Sequence, residues 1–249
     1  MRVGIIGHGT LGGAIAAGLG VCEGVRAIES TTRATSARNA HVVAASDVVL
    51  LCVKPKDIED AVRSIEPALA PHHVLISTVA TIGSDAIRTW SGNRAAVVRV
   101  MPNTPAQTNS AMTVIGRSTT SEERAIDAAH MLFSSIGRAI VMDESLLDAS
   151  TAVSGCGPAF LFVVMEAMID GAIALGIPYA QARGMAAQTM LGSAALLLAG
   201  DAHPAQLKTA VATPAGRTVR GLVELEEGRL RATLIRAVLA AAGALPAAS

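Results

Sequence analysis

The sequence predicts an α/β fold: a doubly wound, largely parallel sheet over residues 1–145, followed by an all-helical domain over residues 146–249. Three observations lead to it. Short runs carrying β-branched residues alternate with polar or alanine-rich stretches up to about residue 143 and then cease. The first of those runs leads directly into a glycine-rich turn and an alanine-rich stretch. Runs such as Val48-Val49-Leu50-Leu51-Cys52-Val53 are apolar on both faces, as strands are when helices cover both sides of a sheet.

Taken in order, strands are expected at Val3 to Ile6, Arg26 to Thr31, Val48 to Val53, Val74 to Ser77, Ala96 to Val100, Met112 to Ile115 and Ala139 to Met142. The intervening segments supply the crossover helices of βαβ units. From Leu146 onward the pattern is helical. Ala159 to Leu175, Ala180 to Ala199 and Leu230 to Ala242 read as long helices, with breaks at Gly176-Ile177-Pro178, His203-Pro204 and Thr213-Pro214. Leu161, Val164, Met165 and Met168 form one apolar stripe, while Val163, Ala167 and Ile173 fall outside it. Helices apolar around most of their circumference need a partner surface, either a second subunit or the sheet domain, and a homodimer built on this domain is the expectation.

Composition narrows the function classes. Of 249 residues, 51% are hydrophobic and 16% charged, which suits a packed globule rather than a disordered chain. The 20 basic and 20 acidic residues cancel, leaving no field that would attract DNA, RNA or an anionic membrane. Aromatic residues are confined to Phe133, Phe160, Phe162, Trp90 and Tyr179, too few for a stacking platform, so a small-molecule partner is expected. Cys22, Cys52 and Cys156 are widely spaced and suit a reducing compartment, the cytoplasm. His8, His41, His72, His73, His130 and His203 form no ligand pair, and no metal is expected. The greasiest stretch, Ala159 to Met165, stops at Glu166, short of the roughly 18 residues of a membrane span, so none is expected.

The chemistry begins at Gly7-His8-Gly9-Thr10-Leu11-Gly12, a G-x-G-x-x-G run after a strand and before a helix. Its first glycine permits the tight turn, its second lets the backbone approach a pyrophosphate, and its third lets helix and strand pack closely. The first domain therefore reads as a dinucleotide-binding domain of Rossmann type. At the end of the second strand stands Glu29-Ser30-Thr31-Thr32-Arg33. Thr32 and Arg33 suit the 2′-phosphate of NADPH, whereas Glu29 suits the ribose of NADH, which remains the alternative. Val53-Lys54-Pro55 and Met101-Pro102-Asn103-Thr104-Pro105 stand at the carboxyl ends of the third and fifth strands, where doubly wound sheets bind ligands. In the helical domain, Thr213 is expected to cap a helix with Pro214 as its first residue, leaving backbone N–H groups around Gly216 to Thr218 for a carboxylate.

These pieces resemble the pyrroline-5-carboxylate reductase family in order and spacing. The likeness rests on Val53-Lys54-Pro55, Met101 to Pro105, Val153-Ser154-Gly155-x-Gly157-Pro158-Ala159, Glu166-Ala167-Met168-x-Asp170, His203-Pro204-x-x-Leu207-Lys208, Thr213 to Thr218 and Leu225-Glu226. The resemblance implies NADPH on a Rossmann domain, a helical domain that interlocks with its twin, and hydride transfer to the C=N bond of 1-pyrroline-5-carboxylate, giving L-proline. It implies that Gly7 to Gly12 hold the pyrophosphate, Asn39 the adenosine side, Cys52, Val53, Lys54 and Pro55 the ribose and nicotinamide, and Thr78, Val79 and Ala80 the neighbouring edge, with Asn103 beside the cofactor. Glu144, Gly216, Arg217 and Thr218 would meet the substrate, Thr218 as the catalytic hydroxyl at the imine nitrogen.

Three places depart from the family. Pro214-Ala215-Gly216-Arg217-Thr218 replaces Pro-Gly-Gly-x-Thr, Val79-Ala80-Thr81 replaces Ala-Ala-Gly, and Ala210 replaces an asparagine. They keep two alternatives open: a related reductase of a different cyclic imine, such as a piperideine carboxylate or a specialised-metabolite imine, and a non-catalytic NADPH-binding protein.

Overall fold

The structure, a computed structural model, describes residues 1–244. It divides into two compact units, Met1–Gly155 and Cys156–Ser249.

The first unit runs β1 (Arg2–Ile6), α1 (Thr10–Leu19), β2 (Ala27–Thr31), α2 (Asn39–Ala44), β3 (Val48–Leu51), α3 (Ile58–Ile65), β4 (Val74–Ser77), α4 (Ser84–Trp90), β5 (Ala96–Met101), β6 (Ala111–Arg117), α5 (Glu123–Ser134), β7 (Gly137–Asp143) and α6 (Leu147–Ser150). Every strand expected from the sequence is present. They form one sheet in the order β2-β1-β3-β4-β5-β6-β7. All pairs are parallel except β5 and β6. The exception follows from the connection: the chain between Met101 and Ala111 holds only the 3-10 turn Thr104–Thr108 and is too short for a crossover helix.

Period-two alternation divides the core. Val3, Ile5, Leu50, Ile76 and Val98 face one side and pack with Ile15 and Leu19 of α1 and Phe133 of α5. Ile6, Val49, Leu51, Leu75 and Val97 face the other and pack with Val43 of α2, Ile58 and Ile65 of α3 and Ile87 of α4. A one-residue slip in any inner strand would exchange the two faces, so register is strongly specified.

By compactness the first unit runs through Gly155. Leu147 is fully buried with Met101 and Val114, and the Asn103 side-chain amide donates to the carbonyl of Ser154 at 2.9 Å. Those contacts tie the segment up to the π-helical turn Thr151–Gly155 to the sheet.

The second unit is helical throughout its described residues: α7 (Gly157–Ala174), α8 (Tyr179–Leu198), α9 (Pro204–Val211), α10 (Arg217–Glu227) and α11 (Leu230–Ala241). α9 opens on a reciprocal cap, with His203 Nδ1 accepting the Ala205 N–H at 3.2 Å and Gln206 Oε1 accepting the His203 N–H at 2.9 Å. Among the described residues of this unit only Ala182 and Ala186 are buried. Leu161, Phe162, Val163, Leu191 and Leu198 all lie exposed.

Two expectations are corrected. The helical run Glu144–Ala174 is 31 residues long, and a window of it has mean hydropathy 1.8. What this corrects is the extent of the apolar stretch, which the helix carries on through Glu166 and Asp170; it meets the requirement for a membrane span by length and composition only, as the core helix of a soluble protein also does. The cap of α10 is Gly216 and not Thr213. Ala215 has φ 57°, in the left-handed region, so no helix runs from Pro214 through it. Instead the Gly216 N–H closes a turn onto the Thr213 carbonyl at 2.9 Å.

Candidate functional site

A cavity of about 1030 Å³ opens at the carboxyl ends of β1, β2 and β3. From β1 the chain moves outward to β2 on one side and then to β3 on the other, so this is the point where strand order reverses and a doubly wound sheet leaves a crevice.

The glycine turn lines its floor. Gly7 has φ 101°, and a Cβ there would lie 2.6 Å from the Cys52 carbonyl oxygen. The N–H groups of Gly7 and His8 both reach the Thr31 carbonyl, at 3.0 and 2.8 Å, and fold the chain back over β2. A Cβ on Gly12 would strike the Gly7 carbonyl oxygen, so α1 sits hard against the turn. Gly9, the N-cap of α1, has nothing within 4 Å of a Cβ position and opens directly onto the cavity. Thr10, Leu11 and Gly12 form the first turn of α1, whose N–H groups have no partner within the helix. Steric need at Gly7 and Gly12, combined with open space at Gly9, leaves the N-terminus of α1 accessible from the cavity, a geometry able to hold an anionic group.

One end of the cavity is built by Thr31, Thr32, Arg33, Ser36 and Asn39. Asn39 is buried and its Oδ1 accepts the Thr31 hydroxyl at 2.7 Å. Glu29 lies outside the cavity wall; its Oε2 is buried without a partner, two residues before the strand end where an acid would meet a ribose. The cationic wall consists of Arg33, Lys54 and Lys56, faced by Asp57 and Asp60. One guanidinium nitrogen of Arg33 donates to both oxygens of Asp57 at 2.7 Å.

At the other end, Cys52 and Val53 continue β3 into the cavity. Burial pushes the Cys52 thiol up to about 11, so it is a neutral wall group and no nucleophile at neutral pH. Pro55 sits outside the wall, at the start of the 3-10 turn Pro55–Asp57.

Other expected site residues are employed elsewhere. The Thr78 hydroxyl donates to the Leu51 carbonyl at 3.2 Å, and Val79 is buried in the core on the α3 face. Ala80 packs beside Met101 and Val114, and Thr81 follows it at φ 67°. Asn103 is used at both ends, its Oδ1 accepting the Met112 N–H at 3.0 Å while its amide holds Ser154. Glu144 caps α4: Oε1 accepts the Ser84 N–H at 2.7 Å and Oε2 the Ser84 hydroxyl at 2.5 Å. In the second unit, Gly216 caps α10, and Arg217 and Thr218 are its first two residues, both exposed, with no acidic residue in that turn.

Sequence reasoning missed Ser36, Lys56, Asp57, Asp60, Ala61 and Ser64 on the wall. A signal existed. Asp57, Asp60, Ala61 and Ser64 follow the i, i+3, i+4, i+7 spacing of one helical face, directly after the Lys54-Pro55 turn that sequence placed at the strand end.

Comparison with known proteins adds the following. The family described as pyrroline-5-carboxylate reductase dimerisation matches residues 144–245, and that described as NADP oxidoreductase coenzyme F420-dependent matches residues 2–81. A pyrroline-5-carboxylate reductase of Arabidopsis thaliana is 38% identical, over 97% of this chain and 93% of that protein. The solved pyrroline-5-carboxylate reductase of Coxiella burnetii is 27% identical, with a TM-score of 0.83 over 97% of this chain and 96% of its own. The Plasmodium falciparum pyrroline carboxylate reductase, crystallised with NADP bound, shares the fold at a TM-score of 0.86 and 24% identity, over 98% of this chain and 96% of its own.

Proposed function

The chain belongs to the pyrroline-5-carboxylate reductase family, and from that premise we propose that it transfers a hydride from NADPH to the C=N carbon of 1-pyrroline-5-carboxylate, giving L-proline. The observation that carries the reading is the glycine turn at the switch point, sterically obligatory at Gly7 and Gly12 and open at Gly9. When bound, the nicotinamide supplies the hydride; the chain's own residues bind, orient and exclude water.

In this reading the N–H groups of Thr10, Leu11 and Gly12 hold the pyrophosphate, and Asn39, Thr32 and Arg33 the adenosine ribose and its 2′-phosphate. Cys52, Val53, Lys54 and Pro55 approach the nicotinamide ribose, with Thr78, Val79 and Ala80 supporting that edge from beneath. Preference for NADPH over NADH is supported by Arg33 on the cavity wall and by Glu29 lying outside it. The α10 start holds the substrate carboxylate through its N–H groups and Arg217, and Thr218 donates its hydroxyl to the imine nitrogen. A hydroxyl is a weak acid alone, so the proton that the nitrogen gains comes from water relayed through Thr218. Glu144 acts by fixing α4, and Asn103 by fixing the turn at Ser154.

The exposed apolar faces of α7 and α8, in a unit where only two described residues are buried, support a homodimer through the helical unit. The description of the matched family supports the same reading. The three free cysteines support a reducing, cytoplasmic setting.

The test is oxidation of NADPH and of NADH, followed by absorbance, with 1-pyrroline-5-carboxylate and with a six-membered piperideine carboxylate, on the wild type and Thr218→Val. The expected result is faster turnover with NADPH and the five-membered ring. Loss of Thr218 should lower kcat by roughly a hundredfold. The left-handed Ala215 and the exposed Arg217 favour a second reading, a larger ring, which a higher kcat/KM for the piperideine would establish. NADPH binding without turnover on either ring would establish the non-catalytic alternative.

A further inference from the structure

We propose that Asp57 occupies the place of the cofactor's 2′-phosphate at Arg33, and that exchange between the two sets how strongly this chain prefers NADPH over NADH. The proposal rests on the dinucleotide reading of the cavity.

Both partners line that cavity, and their pairing is bidentate on the acid: Arg33 Nη2 lies 2.7 Å from each Asp57 oxygen. A carboxylate held this way presents to the guanidinium the same two-oxygen edge that a phosphate would. Arg33 is 76% exposed and Asp57 33%, so the pair sits at the wet rim and is worth little by itself. Either ligand can therefore take the cation at small cost.

Asp57 is also the N-cap of α3, a position where an aspartate ordinarily accepts an N–H from the first turn, yet it makes no cap bond. Its side chain is turned to Arg33 instead. Displaced by a phosphate, it has the N–H groups of the first turn of α3 beyond Ile58 to receive it, the Ile58 N–H being already held by the Pro55 carbonyl. The exchange then swaps one charge-assisted contact for another on each side. With NADH in the cavity, Arg33 keeps Asp57 and is left with no unsatisfied charge. Asp57 thus tolerates NADH, where a lone arginine would select more sharply for the phosphate. Asp60, on the same wall, adds to the negative charge that a 2′-phosphate must face.

Asp57→Asn is the informative variant, because asparagine keeps the shape of the side chain and removes its charge. Titration calorimetry with NADP⁺, NAD⁺ and adenosine 2′,5′-bisphosphate reads binding without turnover. We expect Asp57→Asn to bind NADP⁺ and the bisphosphate roughly threefold to fivefold more tightly, the upper part of the range set by removing one exposed competing charge. NAD⁺ affinity should stay within about twofold, and most of the gain should vanish in an Arg33→Ala background. Unchanged or weaker NADP⁺ binding overturns the proposal, as does an equal gain for NAD⁺ or a gain that persists in full without Arg33. A wild-type protein that binds neither dinucleotide overturns the cofactor reading itself, and the proposal with it.

Discussion

Replacing Thr81 with glycine should stabilise the protein. Thr81 follows β4 at φ 67°, where a β-branched side chain crowds the neighbouring carbonyl, and the strain is about 2 kcal/mol. Its hydroxyl recovers part of this by donating to the Ala80 carbonyl at 2.6 Å, an exposed bond worth about 0.5 kcal/mol. Glycine brings about 0.5 kcal/mol of additional chain entropy to lose on folding. The net gain is about 1 kcal/mol, which for a chain of this length raises Tm by about 2 to 4 °C. Thr81→Ala is the companion variant, since it keeps a Cβ in the same backbone region and loses the hydroxyl. Scanning calorimetry of both should show a rise for glycine and none for alanine. A Tm for Thr81→Gly at or below the wild-type value would refute the strain assignment.

Two further outcomes follow from the first unit. Gly9→Ala adds a Cβ with nothing within 4 Å, on a residue at φ −90°, so Tm should move by less than the equivalent of about 0.5 kcal/mol. NADP⁺ affinity should nevertheless fall about tenfold or more in calorimetry, because the methyl stands where the pyrophosphate approaches; retained affinity would remove the glycine turn from the site. His73 is buried, with Nδ1 accepting the Ala70 N–H at 2.8 Å and Nε2 unpartnered, and burial, followed by neighbouring His72, holds its pKa below the usual histidine value. Protonation therefore favours the unfolded chain: the stabilisation is fully present above about pH 6.5 and is lost as pH falls through the depressed folded value. Tm measured from pH 7.5 down to 5 (roughly the histidine range) should drop more steeply for the wild type than for His73→Gln, and parallel curves would contradict this.

What could be read from residues alone divides along physical lines. Strands of β-branched residues, apolar on both faces, are specified by their own pattern, and so every strand of the sheet was legible. The reversed direction of β6 depends on the length of one connection, which the pattern of the strand itself does not register. The cap of α10 was misplaced because the left-handed turn falls on Ala215, a residue type that carries no signal for positive φ. Glycine there would have announced it. At the glycine turn, the close approaches at Gly7 and Gly12 and the open space at Gly9 were legible because each answers a separate backbone requirement. The intramolecular bonds of Asn103 and Glu144 were not legible, since their partners, Ser154, Met112 and Ser84, come from distant segments, and a polar residue's type does not reveal which group satisfies it. Asp57 was overlooked for a related reason: it looks like an ordinary helix cap, and only the side-chain rotamer turns it to Arg33.

A helical unit in which Ala182 and Ala186 are the only buried described residues has almost no interior of its own. Under the dimer reading, the partner supplies the missing core, and association and folding of this unit become a single equilibrium governed by mass action. Dilution then acts as a denaturant. The melting midpoint of the helical unit should climb with protein concentration, whereas that of the sheet unit, whose two apolar layers close on themselves, should stay where it is.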